Sequence, residues 1–224
     1  MRKLLPLFIL FISFIQCIAQ EKPFYNDIKK FQNQDLINTP QKDIILFIGS
    51  STFTLWGDNL RKDFGNGKIV NRAFGASTLL DLIGYENEIL FAYQPKKIII
   101  YCGENDIANE FPKVKGKEVA KRFQKLFQDI RYKFPNTPVV YLSIKPSSSR
   151  WKMRNEMRNA NKCIESYLKK QPNGYFVNSW NSLLDKNGKP NASLYLEDEL
   201  HLNKKGYNIL RMLLEQYVNS DVIK

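Results

Sequence analysis

Histidine is almost absent from this chain of 224 residues: there is one, His201. Imidazole chemistry near neutral pH must therefore run through that ring, and a site built from several histidines is excluded. Cysteine is scarce too, with Cys17, Cys102 and Cys163 alone, and their spacing matches neither a disulfide framework nor a metal site. No metal and no cofactor is expected, and Cys102 and Cys163 are expected to be buried free thiols. Long hydrophobic runs are confined to the beginning of the chain. Arg2 and Lys3 precede a nearly continuous apolar stretch over residues 4–15, and Cys17-Ile18-Ala19 places small residues where a signal peptidase reads. That stretch is short for a bilayer span. Residues 1–19 are expected to be a cleaved signal peptide, which makes the protein exported, periplasmic or extracellular. A retained anchor helix and a lipid-modified Cys17 are the alternatives, the latter disfavoured by the bulky Phe14-Ile15-Gln16 ahead of it.

A dense basic block is also missing. The net charge is +12, and removing residues 1–19 takes away two basic and no acidic residues, leaving +10. The lysines and arginines are dispersed among acids along the whole chain, so no nucleic acid partner is expected. They form a solvated surface suited to acidic polysaccharide or to transient contact with an anionic membrane surface. Nothing in the sequence sets an oligomeric state.

The length supplies one well-cored α/β domain, placed at residues 24–224, and is short for two. Five apolar runs stand out, at 44–48, 69–71, 98–102, 139–144 and 175–177. Most lack strict alternation, as strands buried on both faces of a parallel sheet do. Helical periodicity falls between and after them. Over 116–134, Val119, Phe123, Leu126, Phe127, Ile130 and Phe134 recur at helical steps before Pro135. Residues 152–170 and 204–218 repeat the pattern. Strands alternating with helices predict a three-layer α/β/α sandwich around a central, mostly parallel five-stranded sheet.

Ligands of such sheets bind beyond the carboxyl ends of the strands. Four polar clusters follow the runs: Gly49-Ser50-Ser51-Thr52, Asn71-Arg72-Ala73-Phe74-Gly75-Ala76-Ser77, Gly103-Glu104-Asn105-Asp106 and, before the last helix, Asp198-Glu199-Leu200-His201. Together they hold the parts acyl transfer requires. A serine at a strand-to-helix turn exposes its hydroxyl, an imidazole takes its proton, and an aspartate orients the ring. A glycine N–H and an asparagine amide complete a cradle for the developing oxyanion. Each cluster alone has a plainer explanation: a turn at Gly-Ser-Ser, a positive φ at Gly75, a helix cap at Asn105-Asp106.

In this order the clusters resemble the blocks of the SGNH hydrolases, also called GDSL-type esterases and lipases, over residues 43–218. Phe47-Ile48-Gly49-Ser50-Ser51 is similar to the first block, whose nucleophile is the serine of Gly-Asp-Ser. This implies Ser51 as nucleophile, with Ser50 in place of the usual Asp and Thr52 in place of the usual Leu. That Asp is not a triad member in the family, so the departure is tolerable and leaves Ser50 as the competing candidate. Asn71-Arg72-Ala73-Phe74-Gly75 resembles the second block and implies the Gly75 N–H as an oxyanion donor. Gly103-Glu104-Asn105-Asp106 matches the third and implies the same of the Asn105 amide. Asp198-Glu199-Leu200-His201 matches the fifth, implying Asp198 as orienter and His201 as base. The resemblance also implies a flavodoxin-like fold. An α/β-hydrolase fits worse, because it needs Gly-x-Ser-x-Gly and here Thr52-Phe53 follows the serine.

Similar family members act on acetylated carbohydrates, short acyl esters, lysophospholipids or acyl thioesters, and export argues against the last. Arg72, Lys145, Arg150 and Trp151 form a candidate rim for a sugar or an anionic headgroup. The plainer expectation is that Trp151 packs under a loop and that Lys145 and Arg150 are solvated. Trp56 is expected in the core. No long apolar lid is evident, so a small acyl group such as O-acetyl on a carbohydrate is the expected substrate. A lysophospholipase or an acetylhydrolase of lipid headgroup esters is the alternative. A non-catalytic glycan-binding relative ranks below both, because no triad residue is missing.

Overall fold

The computed structural model describes residues 22–65 and 67–220, so the expected signal peptide lies outside the described residues. The strands are β1 (Ile44–Gly49), β2 (Ile69–Asn71), β3 (Pro95–Tyr101), β4 (Val139–Leu142) and β5 (Gly174–Val177). They form one five-stranded sheet in the order β2-β1-β3-β4-β5, and every pairing is parallel. The helices are α1 (Tyr25–Ile37), α2 (Ser51–Thr54), α3 (Asn59–Asp63), α4 (Leu79–Gly84), α5 (Glu104–Asn109), α6 (Gly116–Lys133), α7 (Arg154–Leu168) and α8 (Lys204–Asn219).

Alternate strand residues enter separate cores, which explains why the runs show no polar alternation. Leu46, Ile48, Ile98, Ile100, Val139 and Tyr141 pack on one face with Leu79 and Leu82 of α4, Phe123 and Phe127 of α6, and Ile164 of α7. Ile45, Phe47, Ile99, Tyr101, Val140 and Leu142 pack on the other with Phe53 of α2, Leu60 of α3, and Leu210 and Leu214 of α8. The result is the expected α/β/α sandwich. No described helix is long and apolar enough to cross a membrane.

The structure departs from the sequence pattern at particular places. Strand β3 begins at Pro95, ahead of its apolar run, with Pro95 opposite Ile44. A strand's first position is one where the missing N–H of proline costs nothing. Lys97 in that extension is buried and its ammonium donates to the Ser220 carbonyl. Strand β4 ends at Leu142 rather than 144 because Asn161 of α7 claims the backbone of Ile144. It accepts from the Ile144 N–H at 2.9 Å and donates to the Ile144 carbonyl at 2.9 Å. Helix α1 has no strong apolar stripe, since Ile28 is its one fully buried residue. Of the thiols, Cys102 is buried as expected, but Cys163 is half-buried and bonds Asn159 Oδ1 at 3.7 Å; both are free.

Candidate active site

The turn after β1 depends on Gly49. Its φ is +145°, and a Cβ there would lie 2.0 Å from the carbonyl oxygen of Tyr101. Only glycine fits so close to the neighbouring strand. The Ser50 N–H then bonds that carbonyl at 3.0 Å, and the chain turns directly into α2 with Ser51 as its first residue. Ser50 is buried whereas Ser51 is half-buried, so of the two hydroxyls Ser51 is the more accessible.

His201 reaches that hydroxyl from a tight loop. Leu196 N–H bonds the His201 carbonyl at 2.8 Å, and Tyr195 and Leu202 form an isolated antiparallel bridge. Asn203 closes the loop on α8: its Oδ1 caps the N–H groups of Lys205 and Gly206, and its Nδ2 donates to the carbonyls of Ser193 and Tyr195. Glu199 sits at φ 54°, in the left-handed region uncommon for a side-chain-bearing residue. That twist folds the loop so that Asp198 Oδ1 accepts from the N–H groups of Leu200 and His201 at 3.0 and 2.9 Å. Asp198 Oδ2 is 2.6 Å from His201 Nδ1, and His201 Nε2 is 3.0 Å from Ser51 Oγ. Burial alone would raise the Asp198 pKa, but the backbone donors and the imidazole outweigh it and hold the carboxyl at about 2. Carboxylate, ring and hydroxyl are thus within hydrogen-bond reach in series.

The two expected oxyanion donors lie on the loops after β2 and β3. Phe74 N–H and Ser77 Oγ both bond the Gly49 carbonyl, at 3.0 and 3.1 Å, which ties the first of these loops to the Ser51 turn. The positive φ in this loop belongs to Ala76 at 62°, not to Gly75. The Gly75 N–H has no protein acceptor among the described residues, and a Cβ on Gly75 would meet nothing within 4 Å. Asn105 is not the cap of α5, a position held by Gly103 at φ +113°. Its Nδ2 donates to the Ser77 carbonyl at 3.0 Å and its Oδ1 accepts from Arg150 at 2.9 Å. Asp106 is wholly buried, accepting from Leu79 N–H and Arg122 at 3.0 Å each.

The candidate rim is mostly not a rim. Lys145 is 1% exposed and donates to both Glu104 oxygens at 3.2 and 3.1 Å. Glu104 is itself buried, and the Tyr101 hydroxyl donates to it at 2.7 Å. Burial opposes its charge, but Lys145 and Arg150 overcome this and hold its pKa below the usual carboxylate range. Arg72 is also buried, bonded to Asp35, to the Tyr93 hydroxyl at 2.6 Å and to the Asn71 carbonyl at 2.9 Å. Trp151 is half-buried and stacks on Trp180 with centroids 6.3 Å apart, and Trp56 is in the core. Of the three candidate rim cations, Arg150 alone remains partly open, its side chain 18% exposed. Sequence reasoning missed Glu104 entirely. Its only signal was a carboxylate beside Asn105. Leu55, Trp56, Leu196, Leu202 and Tyr207 contribute to a cleft of about 580 Å³ that Ser51 and His201 do not themselves line. Leu55 and Leu196 are half-exposed and bond the carbonyls of Ser51 and His201 through their N–H groups. Among the described residues no group of three or more His, Cys, Asp or Glu is placed to hold a metal ion.

Residues 48–209 match the model of the GDSL-like lipase/acylhydrolase family, and the chain belongs to that family. No curated protein matches it. Among solved structures, a Streptococcus pneumoniae protein provisionally described as a platelet activating factor is 25% identical, with TM-score 0.74, over 86% of this chain and 91% of that one. A GDSL-like lipase from Bacteroides thetaiotaomicron superposes with TM-score 0.74 at 18% identity, over 87% of this chain and 98% of its own. An acetylxylan esterase from Geobacillus stearothermophilus, in the form of a catalytic mutant, superposes with TM-score 0.63 at 14% identity, over 80% and 96%.

Proposed function

We propose that the protein hydrolyses carboxylic esters through an acyl-enzyme on Ser51, with His201 as general base and acid and Asp198 as its orienter. The observation that carries this reading is the unbroken series Asp198 Oδ2, His201 Nδ1, His201 Nε2, Ser51 Oγ, with contacts of 2.6 and 3.0 Å. Ser51 Oγ attacks the ester carbonyl as its proton passes to Nε2. The carbonyl oxygen becomes an oxyanion received by the N–H groups of Ser51 and Gly75 and the Asn105 amide. Collapse expels the alcohol, which takes the proton from Nε2. Water then repeats the sequence, giving up a proton to Nε2 and releasing the acid and free Ser51.

The substrate reading is a small acyl group such as O-acetyl on a carbohydrate, met outside the cytoplasm after removal of residues 1–19. It is supported by the open setting of the series, with the Asp198 side chain 47% exposed and that of His201 23% exposed. The acetylxylan esterase shares the fold, and its substrate class fits this reading. A second reading, an ester on a lipid headgroup, is favoured by the net charge of +10 left without residues 1–19 and the half-exposed Leu55 and Leu196 near the site.

The test is turnover of p-nitrophenyl acetate by the purified protein. Ser51→Ala and His201→Ala are each expected to remove nearly all of it, and the double variant to be hardly worse than either, because such residues act as a unit. Undiminished turnover in Ser51→Ala defeats the assignment.

A further inference from the structure

We infer that Arg150 is a positioning residue for the oxyanion cradle: it fixes the Asn105 amide in one orientation and strengthens its remaining N–H as a donor. The inference rests on the reading of Ser51 as nucleophile and Asn105 as a donor to the oxyanion. A carboxamide has two N–H donors and an oxygen that accepts. Here Nδ2 gives one N–H to the Ser77 carbonyl at 3.0 Å, and Oδ1 accepts from Arg150 Nη1 at 2.9 Å. One N–H is left for a ligand. A flipped amide would set its NH₂ against the guanidinium and its oxygen against the Ser77 carbonyl, so two repulsive contacts forbid the turn. A cationic donor on Oδ1 also draws electron density from the amide nitrogen, which makes its free N–H the better donor.

Arg150 is held in turn by the buried carboxylate beside Asn105. Its Nη1 is 3.4 Å from Glu104 Oε1, and Glu104 is fixed independently by Lys145 at 3.2 and 3.1 Å and by the Tyr101 hydroxyl at 2.7 Å. Removing the guanidinium therefore leaves Glu104 paired, and Arg150→Met should fold.

The experiment measures kcat and KM for p-nitrophenyl acetate, and inhibition by phenylboronic acid, whose tetrahedral adduct on a serine mimics the oxyanion. Arg150→Met is expected to lower kcat and boronate affinity about tenfold with KM within twofold, a part of the loss typical for removing a whole oxyanion donor. In an Asn105→Ala background the same change is expected to have under about twofold effect, because the group it positions is gone. Arg150→Lys, which keeps a charge and a donor, should recover part of the loss, and it carries the test if Arg150→Met is unstable. An unchanged kcat in Arg150→Met overturns the inference. So does a raised KM with kcat intact, which would make Arg150 a substrate contact, or a full effect persisting without Asn105. Ser51→Ala reports on the underlying reading separately: retained turnover there ends both, whereas a dead Ser51→Ala beside an intact Arg150→Met ends only this inference.

Discussion

At the residue scale, the two oxygens of Asp198 have separate tasks. Oδ1 holds the loop by accepting the N–H groups of Leu200 and His201, while Oδ2 faces His201 Nδ1. Asparagine keeps the first task with its oxygen but turns an NH₂ toward Nδ1, which then must accept, so Nε2 carries the proton and cannot take one from Ser51. Asp198→Asn is therefore expected to lower kcat roughly 10³- to 10⁴-fold with little change in Tm, measured by steady-state kinetics and thermal melting. The carboxyl, held at about 2, is ionised over the whole working range. Asp198 should thus add no proton to the acid limb of kcat/KM; a limb that includes a carboxyl's proton would bring a second carboxyl into the site. A carboxyl pKa lowered on folding adds stability above its unfolded value, near 3.9, and loses it as pH falls toward 2. The half-exposed Asp198 makes that contribution small.

At the element scale, the loops of the candidate site hang from a few side chains that join one element to the next. Asn161 is the clearest case, because α7 uses it to bond both the N–H and the carbonyl of Ile144 at 2.9 Å. Asn161→Ala leaves two buried backbone groups unpaired, at about 1–3 kcal/mol each, so a loss of roughly 2–6 kcal/mol is expected. For a chain of this size that lowers Tm by roughly 4–24 °C, and Asn161→Asp should recover part of it through the Ile144 N–H. A melt unchanged in Asn161→Ala would mean that water replaces both bonds. The same residue shows what sequence patterns leave out. Apolar periodicity located all five strands and α6, α7 and α8, because burial on both sheet faces or along one helix stripe writes itself into residue type. It overran β4, since Ile144 is as apolar as its neighbours and the competing bond comes from a residue 17 positions away. It missed α1, which buries only Ile28, and α4, a short helix announced chiefly by the Thr78 and Asp81 capping box.

At the scale of the whole molecule, the parallel sheet is what gathers distant residues. Ser51 and His201 are 150 positions apart in sequence and 3.0 Å apart in space. The rule that ligands lie beyond the carboxyl ends of parallel strands pointed to the Ser50-Ser51 turn, and His201 stood out as the chain's one imidazole. The choice of Ser51 over Ser50 came from the resemblance to the SGNH hydrolases. None of these signals could sort the basic residues, because a buried ion pair and a solvated cation have the same letters. Lys145 is sealed against Glu104, and Arg72 is spent on Asp35 and Tyr93. The surplus charge, +10 once residues 1–19 are removed, therefore acts through the dispersed exposed lysines and arginines and not through Arg72 or Lys145. This bears on the choice between the two substrate readings. A neutral sugar acetate reaches Ser51 without steering, so its kcat/KM should change less than twofold between about 0.02 and 0.5 M salt. An anionic lipid surface is attracted over a screening length that shrinks from about 20 to about 4 Å across that range, and activity on its esters should fall at least tenfold. Acetylated xylo-oligosaccharides and mixed vesicles holding an anionic lipid and a lysophospholipid, assayed side by side at both salt levels, separate the readings. Salt-insensitive turnover confined to the sugar supports the carbohydrate esterase; salt-sensitive turnover confined to the vesicles replaces it with the lipid reading.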